Sequence, residues 1–319
     1  MGRRAAETIV HGIVAAIVVM VLLRVQRIHS PQDRIRFWAL AMGMPIAGTP
    51  LLWVLAPWRL DDGFRDGWAL VSGSHLGADV GHVTGPLGTL MVLLGLAGTA
   101  LFLRDAIPFV LEFVTSRPTH RTGAPPSAAL SAAAERAAAA LAMETPRLSV
   151  LASKHPILMC RGLRKPFIVV STGLCDLLTP RELEASIAHE MSHAQHRDPV
   201  LGWALLVARG LCFFNPAVQL AARAAVLEIE RRADQSAARM VGSTRDVVGS
   251  LRKISGAHGA PGHTAGSAAR TWQGFRMAAI ELRCQTLVRH EESPPANLSP
   301  WILPTTAIGL GAILFLTVV

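Results

Sequence analysis

A chain of 319 residues that is 51% hydrophobic and only 17% charged, with a mean hydropathy of +0.38, falls well short of the roughly 25% charge of soluble domains. That excludes an ordinary soluble globule and points to a membrane protein. The net charge of +9 is nearly all arginine, scattered between apolar stretches with no basic stripe interleaved with aromatics, so direct nucleic-acid binding is not expected and the positive loops of a membrane protein are.

In chain order, crossing a hydrocarbon core about 30 Å thick takes roughly 20 apolar residues. Residues 8–25, 37–56, 86–103 and 300–319 meet or approach that length. The first follows MGRR but is closed by Arg24, Val25, Gln26 and Arg27 without a small-residue cleavage site, so it reads as an anchor rather than a signal peptide. His11 inside it reads as a helix-contact residue. The first loop carries Arg24, Arg27, Arg34 and Arg36; the second carries Arg59 and Arg65 against Asp61, Asp62, Asp66 and Asp79. Positive loops stay in the cytoplasm. The expectation is a multi-pass inner-membrane protein with both termini outside and residues 104–299 in the cytoplasm.

Residues 117–126 read as a linker from their Pro, Gly and Thr content. The alanine-rich stretch 127–143 reads as a helix. RLSVLAS, HPILMCRG and KPFIVVST, within 147–172, are short, apolar and punctuated by Pro and Gly, so they read as a small sheet. In LLTPRELEASIAHE, Thr179 is an N-cap, Pro180 sits at N1 and Glu182 at N3, a capping box with the favoured proline. The spacing predicts a helix over 180–196, stopped by Pro199, with Leu183, Ile187 and Met191 as its buried stripe.

His189 and His193 lie one turn apart on that helix with Glu190 beside them. This H-E-x-x-H pattern places two zinc ligands on one face and a glutamate to take a proton from zinc-bound water. Alone, the motif leaves open a polar helix face with satisfied histidines. The preceding strand and an available third ligand weigh against that. A second helix through VLEIERRADQSAARMVG puts Glu230 and Asp234 on one face. Glu230 is the candidate third ligand of a His₂Glu site, and Asp234 the candidate acceptor for a ligand imidazole. Glu228, about 200° round the helix from Glu230, reads as a surface carboxylate. His196 and Asp198 read as bystanders at the helix end. The apolar stretch 200–214 is too short to span, and a span there would part the two motifs. It reads as a buried or membrane-dipping helix broken by Asn215-Pro216. Residues 256–267, with His258 and His263, read as a loop rather than ligands, and 270–289 as a helix. Cys160, Cys175, Cys212 and Cys284 form no CxxC pair and read as small core residues in a reducing compartment.

KPFIVVSTGLCDLLTPRELEASIAHEMSHAQHRDP, FFNPAV and EIERRAD resemble the BlaR/MecR-type integral-membrane zinc metallopeptidases. The likeness covers about residues 147–242. The final Ala-Asp is shared with the related HtpX and CAAX-protease type enzymes. The resemblance implies one zinc per chain held by His189, His193 and Glu230, with Glu190 as base and a cytoplasmic repressor as substrate. The chain stops at the fourth span, so the extracellular sensor of antibiotic-sensing members is expected to be missing.

The expected fold is therefore mainly α. Residues 1–116 form a membrane domain, 127–299 a cytoplasmic zincin-like α+β metallopeptidase with a small sheet and the HExxH helix, and 300–319 a fourth transmembrane helix. Its expected partners are membrane lipid and a protein or peptide substrate aligned along Ile168, Val169 and Val170. Alternatives are an HtpX-like quality-control protease and a non-enzymatic zinc-binding signalling scaffold.

Overall fold

The computed structural model describes residues 2–69, 85–115, 125–161, 167–258, 280–289 and 299–318. The chain divides into two compact units. One comprises Met1–Arg117, Trp203–Glu228 and Pro295–Val319; the other comprises Pro118–Gly202 and Ile229–Pro294. Most of the 117–126 linker, His263 and residues 259–279 lie outside the described residues.

In the first unit, α1 (Gly2–Val25) is followed by α2 (Pro31–Gly43), a π-helical turn at Met44–Gly48 and α3 (Thr49–Leu55). Ser30 opens α2 by accepting the Asp33 N–H, with Pro31 as its first residue. Pro45 supplies no N–H, and the ladder widens around it before α3 resumes. A 3₁₀ turn, Pro57–Leu60, leads to α4 (Asp62–Gly67), and α5 runs from Pro86 to Thr115, well past the end expected at residue 103. Among the described residues three stretches are long and apolar enough to cross a membrane: Arg4–Val25, Pro31–Leu55 and Gly88–Ile107. They leave Ile17, Val21, Val54, Leu93 and Leu96 exposed, as a lipid-facing surface would.

The last apolar helix, α13 (Ile302–Phe315), is only 14 residues long, shorter than the expected fourth span. Its end is fixed by a buried arginine. Arg59 donates to the carbonyls of Leu314 (2.9 Å), Phe315 (2.6 Å) and Thr317 (3.0 Å) and lies 3.5 Å from Glu7. It thereby satisfies carbonyls that a helix terminus leaves without partners. His11 is buried between Thr49 Oγ1 (2.7 Å) and the Thr317 carbonyl (2.9 Å).

The apolar stretch after the H-E-x-x-H helix forms α9 (Asp198–Leu211), and α10 follows at Pro216–Val241. Asn215 caps α10 by accepting the N–H groups of Ala217 (3.0 Å) and Val218 (3.4 Å), while its amide donates to the Thr8 carbonyl (2.7 Å). Gly12 leaves room for that side chain; a Cβ there would collide with it. Arg209, the one charge in the apolar run, donates to Asp105 (2.7 Å) and Gln219 (2.8 Å). Glu228 corrects the sequence reading: it is 3% exposed and paired with Arg34 at 2.5 Å, a contact with α2 that helical phase alone does not reveal.

In the second unit, α6 (Ala128–Ala140) begins at Ser127, which accepts the Leu130 N–H. β1 (Arg147–Leu151), β2 (Leu158–Arg161) and β3 (Phe167–Ser171) form a sheet in the order β1-β3-β2. β1 runs parallel to β3, and β2 antiparallel to it. Then come α7 (Thr172–Leu177) and α8 (Pro180–Gln195), which carries the full capping box of Thr179 and Glu182. Leu183, Ile187 and Met191 bury against Val150, Ile168 and Val170 of the sheet and the alanine face of α6. Each such side chain contributes roughly 1.5–3 kcal/mol on burial, so α8 is fixed by its own apolar stripe. α8 ends before Arg197, whose φ of 55° turns the chain sharply, so Pro199 stands near the start of α9 rather than simply stopping α8. α11 (Thr244–His258) and α12 (residues 280–289) complete the unit.

The strand order corrects one expectation. Ile168, Val169 and Val170 lie on the central strand, paired to β1 on one side and β2 on the other. Their backbone is therefore committed, and a substrate strand has no edge there. Among the described residues the open edges are β1 and β2.

Candidate metal centre

α8 projects His189 and His193 from one face, and α10 brings Glu230 to them. The two Nε2 atoms are 3.1 Å apart, and each lies 3.6 Å from a different Glu230 oxygen. One donor atom from each of the three side chains falls within 4.8 Å of the others.

The opposite ring nitrogens face carboxylates. His193 Nδ1 donates to Asp198 Oδ2 at 2.8 Å. His189 Nδ1 lies 3.0 Å from Asp234 Oδ1. A carboxylate can only accept, so in its neutral form each ring carries its proton on Nδ1 and presents the Nε2 lone pair inward. Asp198 is in turn bound by Arg232, and Asp234 is gripped by Arg283 at 2.8 and 2.7 Å. Arg283 also stands 2.9 Å from Glu230 Oε2.

The electrostatics ask for a cation. Burial alone would lower the basicity of His189, but contacts with Asp234 and Glu230 overcome it and push its pKa up to about 10. Glu230 moves the other way: burial would raise its pKa, yet His189, Arg283 and His193 hold it far below the usual carboxylate range. Asp234 is depressed too, as hydrogen bonds from His189 and Arg283 outweigh burial. With neutral imidazoles, Glu190, Glu230, Asp234 and Asp198 face Arg283 and Arg232, leaving a charge that complements a divalent cation.

Glu190 Oε2 accepts the backbone N–H of Cys160 on β2 at 2.7 Å. In this antiparallel register the Cys160 N–H points away from β3, so the glutamate is tied to an open sheet edge beside the two histidines. Burial, reinforced by the charge of Glu190, pushes the half-buried Cys160 thiol up to about 11. His196 turns elsewhere: its Nδ1 donates to the Ser192 carbonyl at 2.8 Å.

The sequence reading missed two residues. Asp198, set down as a bystander, is buried against His193. The Arg-Asp pair after the motif was the signal available for it. Arg283 has no local signal, since it stands 49 residues from its partner Asp234.

A family model described as BlaR1 peptidase M56 matches residues 89–250, just over half of the chain. The chain belongs to the BlaR1 peptidase M56 family. Membership implies a metal, and the inward Nε2 pair, the third carboxylate and the negative surroundings fit one. The M56 chain is also similar to a protease HtpX homolog of Moorella thermoacetica, 39% identical over 72 residues, 22% of this chain and 24% of that protein. Protease HtpX homologs of Pelotomaculum thermopropionicum and Sulfurovum sp. are each 28% identical, over 130 and 142 residues, covering 40% and 42% of this chain and 44% and 50% of theirs. The chain thus spans between about a quarter and a half of the length of these curated relatives. No solved structure matches it.

Proposed function

We propose that the protein is a membrane-embedded zinc endopeptidase in which His189, His193 and Glu230 hold the metal and Glu190 is the base. The observation that carries this is the convergence of the three donor atoms within 4.8 Å beside Glu190. Two imidazoles and one carboxylate are the donor set of catalytic zinc, which keeps a position open for water or substrate. Bound there, zinc would polarise a scissile carbonyl and acidify water. Asp198 and Asp234 fix the imidazole tautomers. Glu190 takes the proton from the attacking water and returns it to the leaving amine. A substrate strand pairs with the outward backbone groups of β2 rather than with β3, and lies beside Glu190.

The orientation in the cell follows from the arginine-rich first loop: the N-terminus lies outside and the peptidase portion in the cytoplasm. There the substrate is a cytoplasmic transcriptional repressor. A second reading, cleavage of membrane proteins, is favoured by the similarity to protease HtpX homologs. Comparing the proteomes of host cells carrying wild type or Glu190→Gln decides between them. A repressor fragment that vanishes in the variant supports the first, membrane-protein fragments that vanish support the second, and identical proteomes refute both.

A further inference from the structure

The pair Glu230 and Asp234 poses a problem that the metal does not solve. They are one turn apart on α10, their carboxylates are 32% and 2% exposed, and like charges at this spacing repel. Arg283, on α12 and itself 12% exposed, answers both at once. Its Nε and Nη2 form a fork onto the two oxygens of Asp234, at 2.8 and 2.7 Å. Its third nitrogen, Nη1, is 2.9 Å from Glu230 Oε2. Only a planar guanidinium offers two parallel donors to one carboxylate and a further donor to another; an ammonium is a point charge.

This has two consequences for the ligands. Glu230 Oε2 is engaged by Arg283, leaving Oε1 as the free oxygen, on the His193 side at 3.6 Å from its Nε2. Asp234, pinned by the fork, is held against His189 Nδ1 and so sets the aim of His189 Nε2. One side chain from a third helix therefore governs two of the three candidate ligands.

We infer that Arg283 is a positioning residue of the metal centre: it restricts Glu230 to a single donor oxygen and orients His189 through Asp234. The inference rests on the reading of His189, His193 and Glu230 as metal ligands. It makes α12 part of the site, although the H-E-x-x-H and Glu-x-x-x-Asp segments lie on α8 and α10.

The test uses purified full-length protein in detergent, with zinc affinity measured by chelator competition and the site geometry read from the visible absorption of the cobalt-loaded form. Arg283→Gln should bind zinc about 10–100-fold more weakly, the range for losing a partner of a ligand. Its cobalt spectrum should change as Glu230 gains a second free oxygen. Arg283→Lys, which keeps the charge but not the fork, should fall between. Wild-type affinity and an unchanged cobalt spectrum in Arg283→Gln would overturn the inference. Should that variant fail to fold, judged by melting of the metal-free protein, the same null result in Arg283→Lys overturns it. Wild type that takes up no zinc would instead sink the metal-site reading itself.

Discussion

Asp198→Asn is the perturbation that separates a helix-end bystander from a part of the metal centre. The carboxylate is 8% exposed and serves two partners, His193 Nδ1 at 2.8 Å and Arg232. Replacing it with an amide removes the charge-assisted bond that fixes the His193 tautomer. Losing such a partner lowers metal affinity about 10–100-fold, which is about 1.4–2.7 kcal/mol. A second cost falls on folding. Arg232 is 7% exposed, and breaking a buried pair from one side costs about 3–5 kcal/mol. The lower end applies, because Arg232 keeps other contacts. Chelator competition reads the first effect and thermal melting of the metal-free protein the second. Adding Arg232→Met to Asp198→Asn should recover part of the melting temperature and none of the zinc affinity, since His193 still lacks its carboxylate. Wild-type zinc affinity in Asp198→Asn would refute the reasoning.

Three further outcomes are expected. His196→Ala should leave zinc content unchanged and stability within about 0.5 kcal/mol, because that ring is bound to the Ser192 carbonyl; atomic absorption and melting check this, and lost zinc would return His196 to the ligand set. Thr179→Ala should cost about 1 kcal/mol by opening the capping box of α8, and Thr179→Ser should restore it in the same denaturation assay. The third concerns pH. His189 titrates near 10 in the folded metal-free protein, against 6.5 as its ordinary value. Its raised pKa therefore adds stability that is complete below about pH 6.5 and fades as pH rises towards 10. Zinc uptake at pH 8 should displace that proton, seen as dependence of the calorimetric binding heat on buffer ionisation enthalpy. Binding heats independent of the buffer would contradict it.

The legibility of the chain followed the range of its interactions. α8 could be read because Thr179, Pro180 and Glu182 act within one turn and Leu183, Ile187 and Met191 repeat at helical period. The three strands were legible as segments, but their order was not: pairing β3 between β1 and β2 is a tertiary choice, and it moved the open edge from Ile168–Val170 to β2. Glu228 looked exposed on helical phase and is buried because Arg34 reaches it from another helix. Asp198 was misjudged because Arg197, at positive φ, folds the chain back onto His193. Arg283 was invisible, since its partners lie on α10, far away in sequence.

The central claim is that Glu190 makes this site a peptidase. Purified, zinc-loaded wild type and Glu190→Gln should be assayed side by side on an unstructured protein substrate, with zinc content measured in both. The account predicts the same one zinc per chain and a fall in cleavage of about 10²–10⁴-fold in the variant, the contribution of a positioned general base. Equal cleavage by the two proteins at equal zinc content would contradict it.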